Sequence, residues 1–165
     1  YAYSADLNKR VPLQIELGLQ TIHEHTAKLI NRKTELKEFK DAISRLREIG
    51  IEIVVHIING LPYENKEDML ETIKFINTLD IQGVKIHSLL VLKNTALANL
   101  YEKEKFKILS LEEYVDITVS QIELLRPDII IHRLGADSSL EDLIEPLWTR
   151  KKLVVMNEID KLLRK

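Results

Sequence analysis

Short β-branched runs alternate with amphipathic helical stretches along most of this chain, and that alternation constrains the fold more than any other feature. Leu13–Leu19 reads as a strand, Ile51–Ile58 as a second, Val84–Leu90 as a third, and Asp128–Leu134, after Pro127, as a fourth. Thr21-Ile-His-Glu24 has the form of a capping box and predicts a short helix to about Asn31. Leu36, Phe39, Ile43, Leu46 and Ile49 recur at helical spacing, and Gly50 ends that helix. Asn65 predicts the cap of a helix carrying Met69, Leu70, Ile73, Ile76 and Leu79. Ser110-Leu-Glu-Glu113 is a further capping box, opening a helix to about Leu125. Ser138-Ser-Leu-Glu141 predicts another helical segment, and the tail from Val154 reads as helix. Strand–helix–strand order implies parallel strands joined by right-handed crossovers.

An open doubly wound sheet and a β/α barrel both satisfy that order, and the strand faces discriminate. Ile51, Ile53, Val55 and Ile57 form one aliphatic face, opposed by Glu52, Val54, His56 and Ile58. Ile15, Leu17 and Leu19 oppose Gln14, Glu16, Gly18 and Gln20; Val84, Ile86, Ser88 and Leu90 oppose Lys85, His87 and Leu89. The aliphatic faces suit packing under helices. The partly polar faces suit a barrel interior that leads to a site at the C-terminal strand ends. A closed barrel needs more strands than are present. With Tyr1 in place of Met, this leads to the expectation that the chain is a fragment lacking the N-terminal half of its barrel.

Composition narrows the function classes. A net charge of −2 and a pI near 6.3 provide no global basic field for nucleic acid or anionic lipid. No apolar run reaches the roughly 18 residues of a membrane span, so no membrane partner is expected, and a cytoplasmic setting is. There is no cysteine, so the chain itself has no disulfide, thiolate metal site or cysteine nucleophile.

Gln20, His56, His87 and His132 each fall at or near the C-terminal end of a strand, where parallel β/α folds build their sites. The structural alternative is an interior ion network of Glu16, Glu52 and Lys85 with hydrogen-bonded core histidines. His56-Ile-Ile-Asn-Gly-Leu-Pro62 is the sharpest local signal: Gly60 permits positive φ or close backbone approach, and Pro62 fixes the exit of the loop.

Taken together, Glu16-Leu-Gly-Leu-Gln-Thr21, Ile30-Asn-Arg32, His56-Ile-Ile-Asn-Gly-Leu-Pro-Tyr-Glu64, Gly83-Val-Lys-Ile-His-Ser-Leu-Leu90, Ile131-His-Arg133 and Pro146-Leu-Trp148 resemble the radical S-adenosylmethionine (SAM) superfamily. Within it they are most similar to the YhcC/YtqA-like group, relatives of the Elongator catalytic subunit and of oxygen-independent coproporphyrinogen oxidase. The resemblance covers nearly the whole chain. It implies an α/β fold that is the C-terminal half of a partial (β/α)6 TIM-like barrel of parallel strands, with residues 1–92 as barrel units. Residues 93–165 would then be a mostly helical extension packed on it as part of one domain.

The resemblance also implies chemistry. A reduced [4Fe–4S] cluster cleaves SAM to methionine and a 5′-deoxyadenosyl radical that abstracts hydrogen from substrate, while the protein positions the reactants and excludes water. The cluster's cysteine loop and the segment that holds the methionine amino group belong to the missing half, so this piece alone is expected to be inactive. Gln20 matches the position that binds the ribose hydroxyls. Arg32 matches one that reaches the SAM carboxylate or the substrate region. Ile57 and Ile58 match positions against adenine. His56, Gly60, His87 and Leu89 complete the implied cofactor-binding set, although His56 stands where porphyrinogen-oxidase relatives carry an acidic residue. The implied partners are the missing half of the barrel, an electron donor such as ferredoxin or flavodoxin, and tRNA as substrate, with Arg32, Lys33, Arg150, Lys151, Lys152, Lys161, Arg164 and Lys165 as candidate phosphate contacts against the alternative of a charge-balanced solvated surface. Two rival classes remain at this point: a metal-dependent hydrolase using Glu16, His56, His87 and His132, and a non-catalytic interaction domain.

Overall fold

The computed structural model describes residues 11–136 and 141–165. In chain order its elements are β1 (Gln14–Gln20), α1 (Glu24–Leu29), α2 (Leu36–Glu48), β2 (Glu52–Asn59), α3 (Lys66–Ile76), β3 (Gly83–Ser88), β4 (Val91–Leu92), α4 (Ala96–Glu104), α5 (Leu111–Leu124), β5 (Ile130–Leu134), β6 (Leu143–Glu145), a 3-10 turn (Leu147–Arg150) and α6 (Lys152–Leu163). Four parallel strands form one sheet in the order β1-β2-β3-β5. β4 and β6 make a separate antiparallel pair.

The aliphatic strand faces behave as their pattern predicts. Leu19, Ile53, Val55, Ile57, Val84 and Ile86 are buried in one cluster with Phe39 and Ile43 of α2 and Ile73 and Ile76 of α3. Removing these side chains from water is what drives the helices onto the sheet. α5 is buried on more than one face: Tyr114, Val115, Ile117, Thr118, Val119 and Gln121 all lie inside. It sits against both α3 and α6.

Two of the expected caps form as predicted. The Asn65 side chain accepts the Asp68 N–H at 3.1 Å while the Asp68 carboxylate accepts the Asn65 N–H at 2.8 Å. Ser110 and Glu113 repeat the exchange at 3.1 and 2.9 Å. The Thr21–Glu24 box does not form. Helix α1 begins at Glu24 after a His23 cap, and buried Thr21 instead accepts the His23 N–H at 3.1 Å within the turn. The helical start expected at Ser138 lies outside the described residues; beyond it the chain makes a turn and then β6. Helix α4, with Thr95 accepting the Ala98 N–H at 3.1 Å, was not expected from the sequence. No helix of the described residues is long and apolar enough to cross a membrane.

Candidate functional site

A cleft of about 820 Å³ opens at the C-terminal ends of β1, β2 and β3. Gln20, Ile58 and His87 reach it from the three strands, with Ser88 at the end of β3 and Leu89 just beyond it. Ile30 and Asn31 close one side from the end of α1, and Leu97 and Leu100 of α4 close the other. The wall is therefore largely aliphatic, with a few polar groups placed among the apolar ones, as small-molecule sites generally are.

Gln20 is held by an unusual backbone. It ends β1 at a φ of 65°, in the left-handed region, where the β1–β2 register shifts. A Cβ on Gly18 would lie 2.5 Å from Gln20 Nε2. The glycine thus leaves room for the amide to fold back along its own strand. Arg32 pins the same corner. Its Nη1 donates to the carbonyl oxygens of Leu19 at 2.8 Å and Thr21 at 2.5 Å, and its Nη2 donates to Glu24 at 3.1 Å. The guanidinium is engaged there and is not among the groups lining the cleft.

Below the cleft, the inner face of the sheet carries a charged cluster. Glu16 binds Lys85 through one carboxylate oxygen and lies 2.7 Å from His56 Nε2 through the other. The hydrogen bond from Lys85 in particular holds the Glu16 carboxyl below the usual carboxylate range. Glu52 does not join this network, contrary to expectation; it accepts from Gln14 at 3.4 Å. The His56 ring stacks on His87, with centroids 5.2 Å apart and planes 21° from parallel. Burial, reinforced by the charges of His56, Arg133 and Lys85, pushes His87 down to about 4.

This has a measurable consequence. His87 resists protonation in the folded protein but not in the unfolded chain. Its contribution to stability is complete above about pH 6.5 and is lost as the pH falls toward 4. At about 1.36 kcal/mol per unit the full shift would amount to roughly 3 kcal/mol, and partial exposure of the ring reduces this to about 1–2 kcal/mol. Urea unfolding at about pH 7.5 and about pH 4.5 should show wild type losing that much more than His87→Gln. Equal losses in the two proteins would remove His87 as the source.

The remaining expected residues lie elsewhere. Ile57 is buried in the core beneath the sheet, on the face opposite Ile58. Gly60 follows β2 with a φ of +86° and packs against Leu109 rather than lining the cleft. Of the hydrolase set, Glu16, His56 and His87 are neighbours, but His132 lies over Gly83, at the opposite end of β3 from His87, and the four do not converge on one point. Among the described residues the one triplet within reach of a shared ion is His23, Asp68 and Glu71, and there His23 Nε2 lies 2.9 Å from the Asp68 carbonyl oxygen. Trp148 is a packing anchor, donating to the Leu109 carbonyl at 2.8 Å with its ring against Tyr114. The α4 wall was missed in the sequence, although Thr95 followed by Leu97, Leu100 and Tyr101 is a capped helical pattern.

Comparison with known proteins adds a family and a fold. The model of the Radical_SAM C-terminal domain matches residues 81–165, and that of the Radical SAM superfamily matches residues 5–76. YtqA of Bacillus subtilis is 44% identical over 159 residues, covering 96% of this chain and 49% of that protein. YhcC of Escherichia coli K12 is 30% identical over 149 residues, covering 90% of this chain and 48% of that protein. The chain spans about half the length of these relatives. The structure of archaeal Methanocaldococcus infernus Elp3 with an N-terminal deletion superposes with a TM-score of 0.80 at 20% identity, over 97% of this chain and 38% of that one. The parallel sheet and its helices therefore share the fold of the corresponding part of that protein.

Proposed function

Because this chain belongs to the radical SAM superfamily, we propose that its cleft is part of the SAM and substrate chamber of a radical SAM enzyme. The observation that carries the reading is convergence: Gln20, Ile58, His87 and Leu89, drawn from three strand ends, line one cleft of about 820 Å³. The residues fit SAM in size and chemistry. The Gln20 amide both donates and accepts, as a ribose diol requires. Ile58 and Leu89 offer apolar surface to a purine, and His87 is a neutral ring at the edge of the cleft. Arg32 acts one step back, holding the β1–α1 turn that presents Gln20. His56 and Glu16 support His87 from below.

An iron–sulfur cluster is a different case. The chain has no cysteine and supplies no thiolate for one. In this reading the cluster ligands and the other half of the barrel lie outside these residues, beside β1, whose outer edge is unpaired among the described residues. A ferredoxin or flavodoxin would be the electron donor. Bound SAM would supply radical chemistry at its 5′ carbon; the residues described here bind, orient and exclude water. The substrate that kinship favours is a wobble uridine in tRNA, and the exposed basic run Arg150, Lys151 and Lys152, where the 3-10 turn passes into α6, would face its phosphates.

Calorimetric titration of SAM into the full-length protein tests this reading. Binding is expected, and Gln20→Ala should weaken it about tenfold, the equivalent of about 1.4 kcal/mol. Unchanged affinity in the variant would detach Gln20 from the ligand, and absence of binding in the wild type would sink the reading. For the substrate, loss of a modified wobble uridine from the tRNA of a deletion strain is the expected mass-spectrometric result, and an unaltered nucleoside profile would remove tRNA.

A further inference from the structure

Beneath the cleft lies a second, much smaller chamber of about 10 Å³, enclosed by Asn59, Gly60, Ser88, Leu109, Tyr114 and Trp148 among others. Two of its walls carry hydroxyl groups from different elements, Ser88 from the end of β3 and Tyr114 from α5. Ser88 is 4% exposed and Tyr114 is 0% exposed. Neither Ser88 Oγ nor Tyr114 Oη makes a hydrogen bond of good geometry within the protein, although the Thr118 side chain lies near enough to Tyr114 Oη to act on it electrostatically. A buried hydroxyl in that position is costly, and native interiors rarely leave two together.

Nearby groups are engaged elsewhere. Asn59 and Gln121 exchange amide hydrogen bonds at 2.7 and 2.9 Å. Trp148 Nε1 donates to the Leu109 carbonyl, and the Leu89 N–H donates to the Asn59 carbonyl at 2.8 Å. Burial keeps the Tyr114 phenol protonated, with its pKa pushed up, so it remains a donor. The chamber is the size of one water molecule. It has no carboxylate in its lining, which disfavours a metal cation.

We propose that this chamber is a binding site for a single structural water that joins Ser88 Oγ to Tyr114 Oη. Water both donates and accepts, so it can satisfy both hydroxyls at once. The location gives the site a consequence. Ser88 lines the large cleft, the small chamber and a third cavity beside α6. A water fixed between Ser88 and α5 therefore anchors the residue on which three spaces meet, and with it the corner that carries Leu89 into the cleft.

The test has two arms, neither depending on the proposed function. A crystal structure of the wild-type protein, at a resolution where waters are placed, should show one water in the chamber within about 2.6–3.2 Å of both oxygens. A dry chamber, or a Tyr114 hydroxyl bonded directly to protein, overturns the proposal. In the second arm, thermal melting of Ser88→Ala, Tyr114→Phe and the double variant should be non-additive. The melting-temperature loss in the double variant should fall clearly below the sum of the single losses, because either change alone already removes one of the water's two anchors. Additive losses would overturn the bridge. If a variant fails to fold, the wild-type crystal structure still decides.

Discussion

Gln121→Ala is expected to lower unfolding stability by about 2–4 kcal/mol, read as a shift of the urea midpoint. Gln121 and Asn59 are 0% and 1% exposed. Their side-chain amides exchange two hydrogen bonds, and Gln121 Nε2 also donates to the Met69 carbonyl at 3.2 Å. Truncation leaves the buried Asn59 amide without its main partner at the end of β2 and adds a small cavity. The pair joins the last residue of β2 to α5, so the loss falls on the contact between sheet and outer helix. Replacing both partners by leucine should recover a large part of it, since an apolar pair leaves no amide unsatisfied. A loss below about 1 kcal/mol in Gln121→Ala would mean that the amide pair does not hold α5 in place.

Gly60→Val should cost a similar amount, about 2–4 kcal/mol, for an unrelated reason. At a φ of +86° a β-branched side chain is strained before it meets anything. A Cβ there would also lie 3.1 Å from Leu109 Cδ1 and 3.2 Å from Leu109 Cγ, so Leu109 must give way. Gly60→Ala separates the two contributions, because it carries the backbone strain with a single methyl and should lose roughly half as much. If alanine and valine prove equally mild, the loop after β2 relaxes to another conformation and the positive φ is not required. The Gly60 N–H faces Met69 Sδ at 3.4 Å, and that contact would be the first to shift.

Much of this architecture was legible because period-2 patterning encodes strand faces. The sets Ile53/Val55/Ile57 and Val84/Ile86 read as a helix-covered face, and they are buried with Phe39 and Ile43 of α2 and Ile73 and Ile76 of α3. The same alternation placed Gln20, Ile58, His87 and Leu89 on the side that forms the cleft. What the pattern does not encode is where a long side chain ends. Arg32 turns back onto the carbonyl oxygens of its own turn, and spacing along the sequence holds no information about that choice. Lys85 and His56 meet Glu16 and not Glu52 because strand register, not residue type, sets which inner-face groups are neighbours. The Thr21-x-x-Glu24 spacing matched a capping box, but burial of Thr21 in the turn competed successfully for its hydroxyl. A two-residue strand such as β4 has too few positions to show any period, so its pairing with β6 emerges only in three dimensions.

The order β1-β2-β3-β5 also bears on how the chain is made. Each strand of the main sheet pairs with the one synthesised before it in that series, so the sheet can grow by successive addition as the polypeptide leaves the ribosome. The exception in tempo is the last step. About forty residues separate the end of β3 from β5, which at about 5–20 residues per second takes roughly 2–8 s. Throughout that interval the far edge of β3 is an open row of peptide groups, the kind that recruits strands from neighbouring nascent chains. β4, α4 and α5 emerge during the wait, and the edge closes only when β5 arrives to pair with it.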